Sequence, residues 1–524
     1  MARLRSVLPV LMALLATACD QDPVILGDHP LELTGATGRE VSSLYLDMDD
    51  GTRIAVDVYL PVGWPGSDEF PTILELTRYW RDRGNGIPYF IRRALVRGFA
   101  YVVVDERGTG ASFGSWPTPL TDRALDDAGA VIDWIVDQPW SNGAVGATGV
   151  SYPGMAAQQL AGLGHPALKA IVPMSDSYDL YGDLIFPGGM FNEAFLQGWS
   201  DLVYAMDRNT TIQVEDDVFT LSPVDADPTG DLLASAVSQH SMNLDVYDAV
   251  QGVTYRDEPI LPNLTLDDIS TFTHGGPAQG YGPVVYHWGS WMDAASADGV
   301  IRQFMSALGP ARATIGAWTH DLWSNANPFE SRWVAPSPPG EAQWEEALNF
   351  FEDLLRKEKP VEGKILRYFT MQENLWKSTS TWPIPGTQTL RLYLREEGLL
   401  STTAPSDEVG EDLYQVSFQV QSSADSRWLG PLFADAWYPS RLTPDVDLLV
   451  YETEPLEEDL EVTGFPVVNL QVASTHTDGA FFVYLEDHSP QHYVRYVTEG
   501  VLRGIHRRVG TDPSPWPRPT PYHS

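Results

Sequence analysis

Cysteine occurs once in 524 residues, at Cys19, so no internal disulfide can brace the fold. Basic residues are scarce too: 33 Lys and Arg stand against 71 Asp and Glu, a formal net charge of −38. A surface of that sign repels polyanions, which argues against nucleic acid as a partner. The chain has no C-x-x-C and no H-E-x-x-H spacing, so neither a metal nor another cofactor is expected. Asp47-Met48-Asp49-Asp50-Gly51 resembles the start of a calcium loop but lacks its closing glutamate, and Asp50-Gly51 between apolar runs reads as a hairpin turn. No apolar run reaches the roughly 18 residues of a membrane span. Disorder throughout is excluded by an ordinary globular composition, 43% hydrophobic and 20% charged. The length exceeds a single core and predicts two to four domains.

The amino terminus is more specific. Arg3 and Arg5 precede an apolar run, Val7 to Ala16, and then come Ala16-Thr17-Ala18-Cys19. This is the layout of a signal peptide, with small residues immediately before the single cysteine. It resembles a bacterial lipobox, although Leu15 stands one place earlier than usual. Residues 1–19 are therefore expected to form a lipoprotein signal peptide, with several acyl chains on Cys19 anchoring an exported protein to the periplasmic or outer face of a membrane. Secretion without lipid is the alternative. Residues 20–38 hold Asp, Pro and Gly with little periodicity and read as a tether.

Beyond the tether, short apolar strands alternate with helices. Thr72–Leu76, Ala144–Val150 and Ala170–Val172 read as strands, Ala100–Val104 as a strand buried on both faces, and Leu125 to Val136 repeats with helical period. The rhythm stops across 181–275, which reads as an inserted, helical cap. It resumes with Val284–Tyr286, Ala313–Ile315 and an amphipathic helix from Trp344 to Leu355. After Pro385 the period becomes two, as in Leu390, Leu392, Leu394 and Val468, Leu470, Val472. The expected class is α/β: a doubly wound, mostly parallel sheet in two parts (39–180 and 276–385), the cap between them, and a β-sandwich or jelly roll over 386–524.

The segment that carries chemistry is Thr148-Gly149-Val150-Ser151-Tyr152-Pro153-Gly154. A strand runs in and a small-residue helix runs out, which presents a serine hydroxyl on a sharp turn with backbone N–H groups facing a developing oxyanion. The pattern departs from G-x-S-x-G, because its second glycine comes one place late. A nucleophilic serine needs a base and an orienting acid. His274, His287 and His320 compete as base, and Asp293, Asp298 and Asp321 as acid.

These motifs resemble the cocaine esterase/X-prolyl dipeptidyl aminopeptidase family of serine hydrolases, whose relatives include glutaryl acylases and α-amino acid ester hydrolases. Ser151 and its flanks are similar to the family's elbow, and Asp105-Glu106-Arg107-Gly108-Thr109-Gly110-Ala111-Ser112-Phe113-Gly114 to its D-x-R-G-x-G-x-S-x-G loop. Asp133-Trp134-Ile135 through Gln138-Pro139-Trp140 resembles the helix before the elbow. Gly289-Ser290-Trp291-Met292-Asp293 is similar to G-W-x-D with an extra or altered residue, and Gly316-Ala317-Trp318-Thr319-His320 to G-x-W-x-H. The resemblance implies an α/β-hydrolase fold with an inserted helical cap and a C-terminal jelly roll. It implies Ser151 as nucleophile, His320 as base and Asp293 as acid. It also implies an oxyanion hole from the Tyr152 backbone N–H and the Tyr79 hydroxyl, with Trp80 as packing or pocket wall. Family members continue past segments similar to Leu502-Arg503-Gly504-Ile505-His506-Arg507 and Pro521-Tyr522-His523-Ser524 into further strands, so the jelly roll is expected to be incomplete.

The leading expectation is an acyl hydrolase acting on a small ester, amide or peptide through an acyl-enzyme, with X-Pro dipeptidyl-peptidase activity as the alternative. Phe186, Phe191, Phe195 and Trp199 are candidates to line an acyl pocket or fill the cap core. Asp176, Asp183 and Glu193 are available to neutralise a substrate ammonium. The competing reading from another class is a non-catalytic surface lipoprotein that binds a ligand. Oligomeric state has no signature in the sequence.

Overall fold

A hairpin opens the described chain. β1 (Val41–Asp47) and β2 (Arg53–Tyr59) pair antiparallel across a turn in which Gly51 N–H donates to the Met48 carbonyl at 2.9 Å. The aspartates of this turn hold arginines: Asp49 bonds Arg123 at 2.5 Å and Asp50 bonds Arg107 at 3.0 Å. The structure is a computed structural model. It describes residues 41–62, 68–82, 84, 86–214, 217–274, 282–406, 410–418, 426–428, 436–510 and 516–517. The signal peptide, Cys19, the tether and Pro521–Ser524 lie outside the described residues.

The elements that follow are β3 (Phe70–Thr77), α1 (Tyr89–Val96), β4 (Ala100–Asp105), α2 (Asp122–Val136), β5 (Ser141–Val150), α3 (Tyr152–Gln159) and β6 (Leu168–Met174). The segment that interrupts the sheet holds α4 (Glu193–Asp207), a short hairpin of β7 (Ile212–Val214) and β8 (Asp217–Phe219), α5 (Asp231–Gln239), α6 (Val246–Val250) and α7 (Thr271–His274). It is helical as the composition indicates, the hairpin being the addition. The sheet resumes with β9 (Val284–Ser290), α8 (Ser296–Ser306), β10 (Ala311–Gly316), α9 (Gly340–Phe351), β11 (Lys364–Thr370) and β12 (Leu375–Thr379).

Ten strands form one sheet in the order β1-β2-β4-β3-β5-β6-β9-β10-β11-β12. From β4 to β11 the neighbours are parallel, with antiparallel strands at both margins. Side-chain alternation sends each strand to two cores. Leu74, Val102 and Val104 pack with Val131, Ile132 and Ile135 of α2 on one face. Ile73, Tyr101 and Val103 pack with Phe90 of α1 and Leu348 and Phe351 of α9 on the other. From β3 the chain passes to β4 on one side and later returns to β5 on the other, so the strand order reverses beside β3. The carboxyl ends of β3 and β5 thus stand at the position where open α/β sheets bind ligands.

The carboxyl-terminal region is β-rich. Its described ladders are β13 (Tyr393–Leu394) with β14 (Leu400–Ser401), and β15 (Ala480–His488) with β16 (Val494–Arg503). The alternating stretch Val468–Val472 forms no ladder, and its apolar residues stay exposed, Val468 at 51%. A period-two pattern becomes a strand only where a neighbour supplies hydrogen bonds and a layer covers its apolar face. Arg427 joins this region to the hydrolase sheet, bonding the Ala294 carbonyl at 2.9 Å, Asp298 at 3.1 Å and Glu499 at 3.1 Å.

Candidate functional site

Ser151 follows β5 directly, with φ 67° and ψ −126°, a left-handed conformation that a side chain-bearing residue adopts only when its surroundings enforce it. Its N–H donates to the Met174 carbonyl at 2.9 Å, and its carbonyl accepts from Met155 N–H at 3.0 Å, so the turn is clasped between β6 and α3. The flanking glycines serve close approach. A Cβ on Gly149 would lie 2.4 Å from Pro153, and one on Gly154 would lie 2.9 Å from the carbonyls of both Gly149 and Met174. The late glycine of the motif is therefore the one that lets α3 rest on the ends of β5 and β6. Pro153 sits in the first turn of α3, where its missing N–H costs nothing.

His320 lies just past β10 and Asp293 just past β9, two adjacent parallel strands. Imidazole Nδ1 is 2.9 Å from Asp293 Oδ1 and 3.0 Å from Oδ2. Both residues are buried. Burial pulls the His320 pKa down, but the charge and hydrogen bond of Asp293 outweigh it, and the net shift is upward. The competing histidines are placed differently. His287 lies within β9, and burial drives its pKa down to about 3. His274 sits on α7 with Nε2 2.6 Å from the Asp268 carbonyl. Among the competing acids, Asp298 pairs with Arg427 at 3.1 Å, and Asp321 accepts from the Thr319 hydroxyl.

Ser290, the additional residue of the acid segment, ties the two loops together. Its hydroxyl donates to the Trp318 carbonyl at 2.6 Å and accepts from the N–H groups of Trp318 and Met292, each at 3.1 Å. On the far side of the acid, Ala294 takes φ 45° and its N–H donates to the Arg427 carbonyl at 2.8 Å. The neighbours of Asp293, Met292 and Ala294, are thus held by a serine from the sheet and an arginine from the β-rich region. In the sequence Ser290 shows only as an irregularity of its motif, and Arg427 has no signal there, because its role depends on a contact across 133 residues.

Tyr79 follows β3 beside Trp80, itself at φ 69° and buried in the core. The Thr77 hydroxyl accepts from Tyr79 N–H at 2.8 Å. The D-x-R-G-x-G loop wraps around Asp105 and fastens this turn: Asp105 accepts from Arg81 N–H at 2.6 Å, from the Arg81 guanidinium at 3.1 Å and from Ala111 N–H at 2.8 Å. A Cβ on Gly110 would lie 2.2 Å from that carboxylate, which leaves room for glycine alone. The Tyr79 and Tyr152 rings meet edge to face at 6.0 Å. Tyr152 begins α3, where backbone N–H groups lack intrahelical partners. Its phenol donates to Glu106 at 2.6 Å, and burial pushes the Glu106 carboxyl up to about 7.

Of the aromatic cap residues, Phe186 stacks between Tyr181 and Phe191, and Phe195 is buried in the core. Trp199 alone of the four bonds to a candidate site residue: its indole N–H donates to the Tyr79 hydroxyl at 2.7 Å. Asp183 pairs with Arg302, and neighbouring Asp179 with Arg256 at 2.6 Å. Asp176 is buried, accepts from Gln303 at 3.2 Å and is pushed up to about 7 by desolvation. Glu193 is exposed and accepts from Tyr247. Among the described residues no group of three or more His, Cys, Asp or Glu could hold a metal ion.

Residues 50–321 match the X-Pro dipeptidyl-peptidase (S15) family, and residues 361–519 match the X-Pro dipeptidyl-peptidase C-terminal non-catalytic domain. A protein of Mycobacterium bovis assigned as a serine esterase is 34% identical over 538 residues, covering 93% of this chain and 84% of its own. The cocaine esterase of a Rhodococcus species is 28% identical over 507 residues, covering 90% and 84%. Among solved structures, an aminopeptidase from a marine sediment archaeon superposes with a TM-score of 0.65 at 20% identity over 93% of this chain and 86% of that one. An α-amino acid ester hydrolase superposes with a TM-score of 0.63 at 20% identity over 96% and 88%. The two structures share the fold: a hydrolase sheet followed by a β-rich domain. The chain belongs to the X-Pro dipeptidyl-peptidase (S15) family of serine hydrolases, together with the cocaine esterases.

Proposed function

We propose that the protein is a carboxylic ester hydrolase working through Ser151, His320 and Asp293. The carrying observation is the buried His320–Asp293 pair at the ends of β9 and β10, on the same sheet edge as the strained Ser151 turn. Ser151 Oγ attacks the ester carbonyl carbon while His320 takes its proton, and the alkoxide leaves with that proton. Water, deprotonated by His320, then attacks the acyl-enzyme, which releases the carboxylic acid and restores the serine hydroxyl. Asp293 fixes the imidazole tautomer and stabilises its cation. The Tyr152 backbone N–H and the Tyr79 hydroxyl are the proposed donors to the oxyanion.

Among the carboxylates available to neutralise a substrate ammonium, Asp183 is already paired with Arg302, as is neighbouring Asp179 with Arg256, which favours esters over peptides with a free amino terminus. At Asp183 a substrate ammonium would have to displace the buried Arg302 guanidinium. Relatives named as a serine esterase and a cocaine esterase support that preference. Export and anchoring through lipid on Cys19 complete the proposal, on the strength of the leader sequence.

A fluorophosphonate probe on wild type and Ser151→Ala tests the nucleophile: labelling of the wild type alone supports it, and labelling of both removes Ser151. Turnover across p-nitrophenyl esters, X-Pro anilides, amino-acid esters and glutaryl amides tests the substrate class, and a preference for X-Pro anilides would overturn the ester reading.

A further inference from the structure

Helix α4 belongs to the inserted segment, yet it grips the turn after β3 at two points. Trp199 donates its indole N–H to the Tyr79 hydroxyl at 2.7 Å. Asp207, the last residue of α4, accepts two bonds from the Arg78 guanidinium at 3.1 and 3.2 Å. Asp207 is held in turn by Asn243 at 2.8 Å. Trp199 and Asp207 are about two helical turns apart, so they share one face of α4. Arg78 precedes Tyr79 in sequence, and its side chain is fully buried. Its guanidinium lies 3.9 Å from the Trp116 ring centre and 5.3 Å from that of Trp199.

The second tyrosine is held in the same manner. The Trp116 indole N–H donates to the Tyr152 hydroxyl at 3.3 Å, and that hydroxyl donates to Glu106. Two tyrosines in edge contact therefore each accept an indole N–H, and the two indoles flank a single guanidinium. The hydroxyl of Tyr152 bonds Trp116 and Glu106, both of the hydrolase domain. Tyr79 depends on the insert.

We infer that Trp199 is a positioning residue through which the inserted helix sets the Tyr79 hydroxyl as oxyanion donor. The inference rests on the proposed role of Tyr79. A phenol oxygen that accepts an N–H has its O–H polarised, and the bond that O–H donates is strengthened. The accepted bond also fixes where the oxygen sits, and a donor misplaced by a fraction of an ångström loses its advantage in the transition state. A tryptophan serving only as a wall would offer its ring to the acyl group. Its N–H would have no reason to meet the oxygen that the carbonyl uses.

Steady-state kinetics of the full chain on p-nitrophenyl acetate and butyrate test this. Trp199→Phe keeps an aromatic ring and deletes the N–H. kcat should fall about tenfold on both esters while KM stays within about twofold, the mark of a bond that matters only in the transition state. In the Tyr79→Phe background, itself reduced about 100- to 1000-fold, Trp199→Phe should have no further effect beyond about twofold. Replacing Trp199 with benzothienylalanine keeps the bicyclic shape without the N–H, and should reproduce the loss at an unchanged melting temperature. A full kcat in both Trp199 variants overturns the inference. So does a loss of equal size with and without the Tyr79 phenol, or a KM change that tracks acyl length. If Tyr79→Phe keeps its kcat, the oxyanion assignment falls as well. If it loses kcat while the Trp199 variants do not, the role of Trp199 alone is removed.

Discussion

Asp293 meets His320 through both of its carboxylate oxygens, 2.9 and 3.0 Å from a single ring nitrogen, Nδ1. Nδ1 is thereby committed to Asp293, and in the proposed triad Nε2 is the atom that works on Ser151. Asp293→Asn preserves the shape and removes the charge. The expected result is a fall of about 1,000- to 10,000-fold in kcat on an activated ester. A loss below about tenfold would take Asp293 out of the proposed triad.

The same pair sets the pH dependence. In the proposed triad the base works when neutral, so activity should rise as His320 loses its proton. Burial opposes the charged imidazole, but Asp293 outweighs it and the pKa is raised above the ordinary 6.5. The acidic limb of kcat/KM should therefore have its midpoint above that of a free histidine, and the residual activity of Asp293→Asn should have a lower midpoint. A wild-type midpoint below 6.5, or a limb unmoved in the variant, would contradict the pairing.

Ser290 makes three hydrogen bonds that join the acid loop to the histidine loop. Ser290→Ala leaves a buried carbonyl and two buried N–H groups short of a partner, at an expected cost of about 1–3 kcal/mol. Both stability and kcat should fall, measured by urea unfolding and by ester turnover. A variant as stable and active as the wild type would show that the clasp is dispensable.

Glu106 offers a test in the stability curve. Its carboxyl, buried against Tyr152, is pushed up to about 7 from 4.5. The folded protein then keeps a proton that the unfolded chain releases. That contribution is full below about pH 4.5 and disappears as pH rises through about 7. In Glu106→Gln it is absent. The wild-type-minus-variant difference in unfolding free energy should drop by about 3 kcal/mol across that window. A difference constant with pH would mean that Glu106 folds in its ionised form.

Cys19 is the proposed lipid attachment site. Cys19→Ser should move the protein from the membrane fraction to the soluble fraction of the producing cell. Among the described residues no helix is long and apolar enough to cross a membrane, so none offers a substitute anchor of that kind. Membrane association that survives the substitution would rule lipidation out.

What the chain determined by itself was local. Ala100–Asp105 is a nearly unbroken apolar run and became a strand buried on both faces, because such a run is stable only between two layers. The elbow around Ser151 was legible from its glycines and proline, since the turn admits few other residues. The three segments bearing Ser151, Asp293 and His320 could each be marked, but composition alone left three histidines and three acids in competition. Strand order settled which of them meet: β9 and β10 are neighbours, and this brings Asp293 to His320 while Asp298 turns to Arg427 and His287 stays inside its strand. The contacts of Trp199, Ser290 and Arg427 were not legible in sequence, because their partners lie 120, 28 and 133 residues away. The alternation after residue 386 marked a β-rich region, in which Leu394 lies in β13 while Val468–Val472 forms no ladder. Periodicity names the face a strand would bury, and only the tertiary structure supplies the neighbour and the covering layer that make it one.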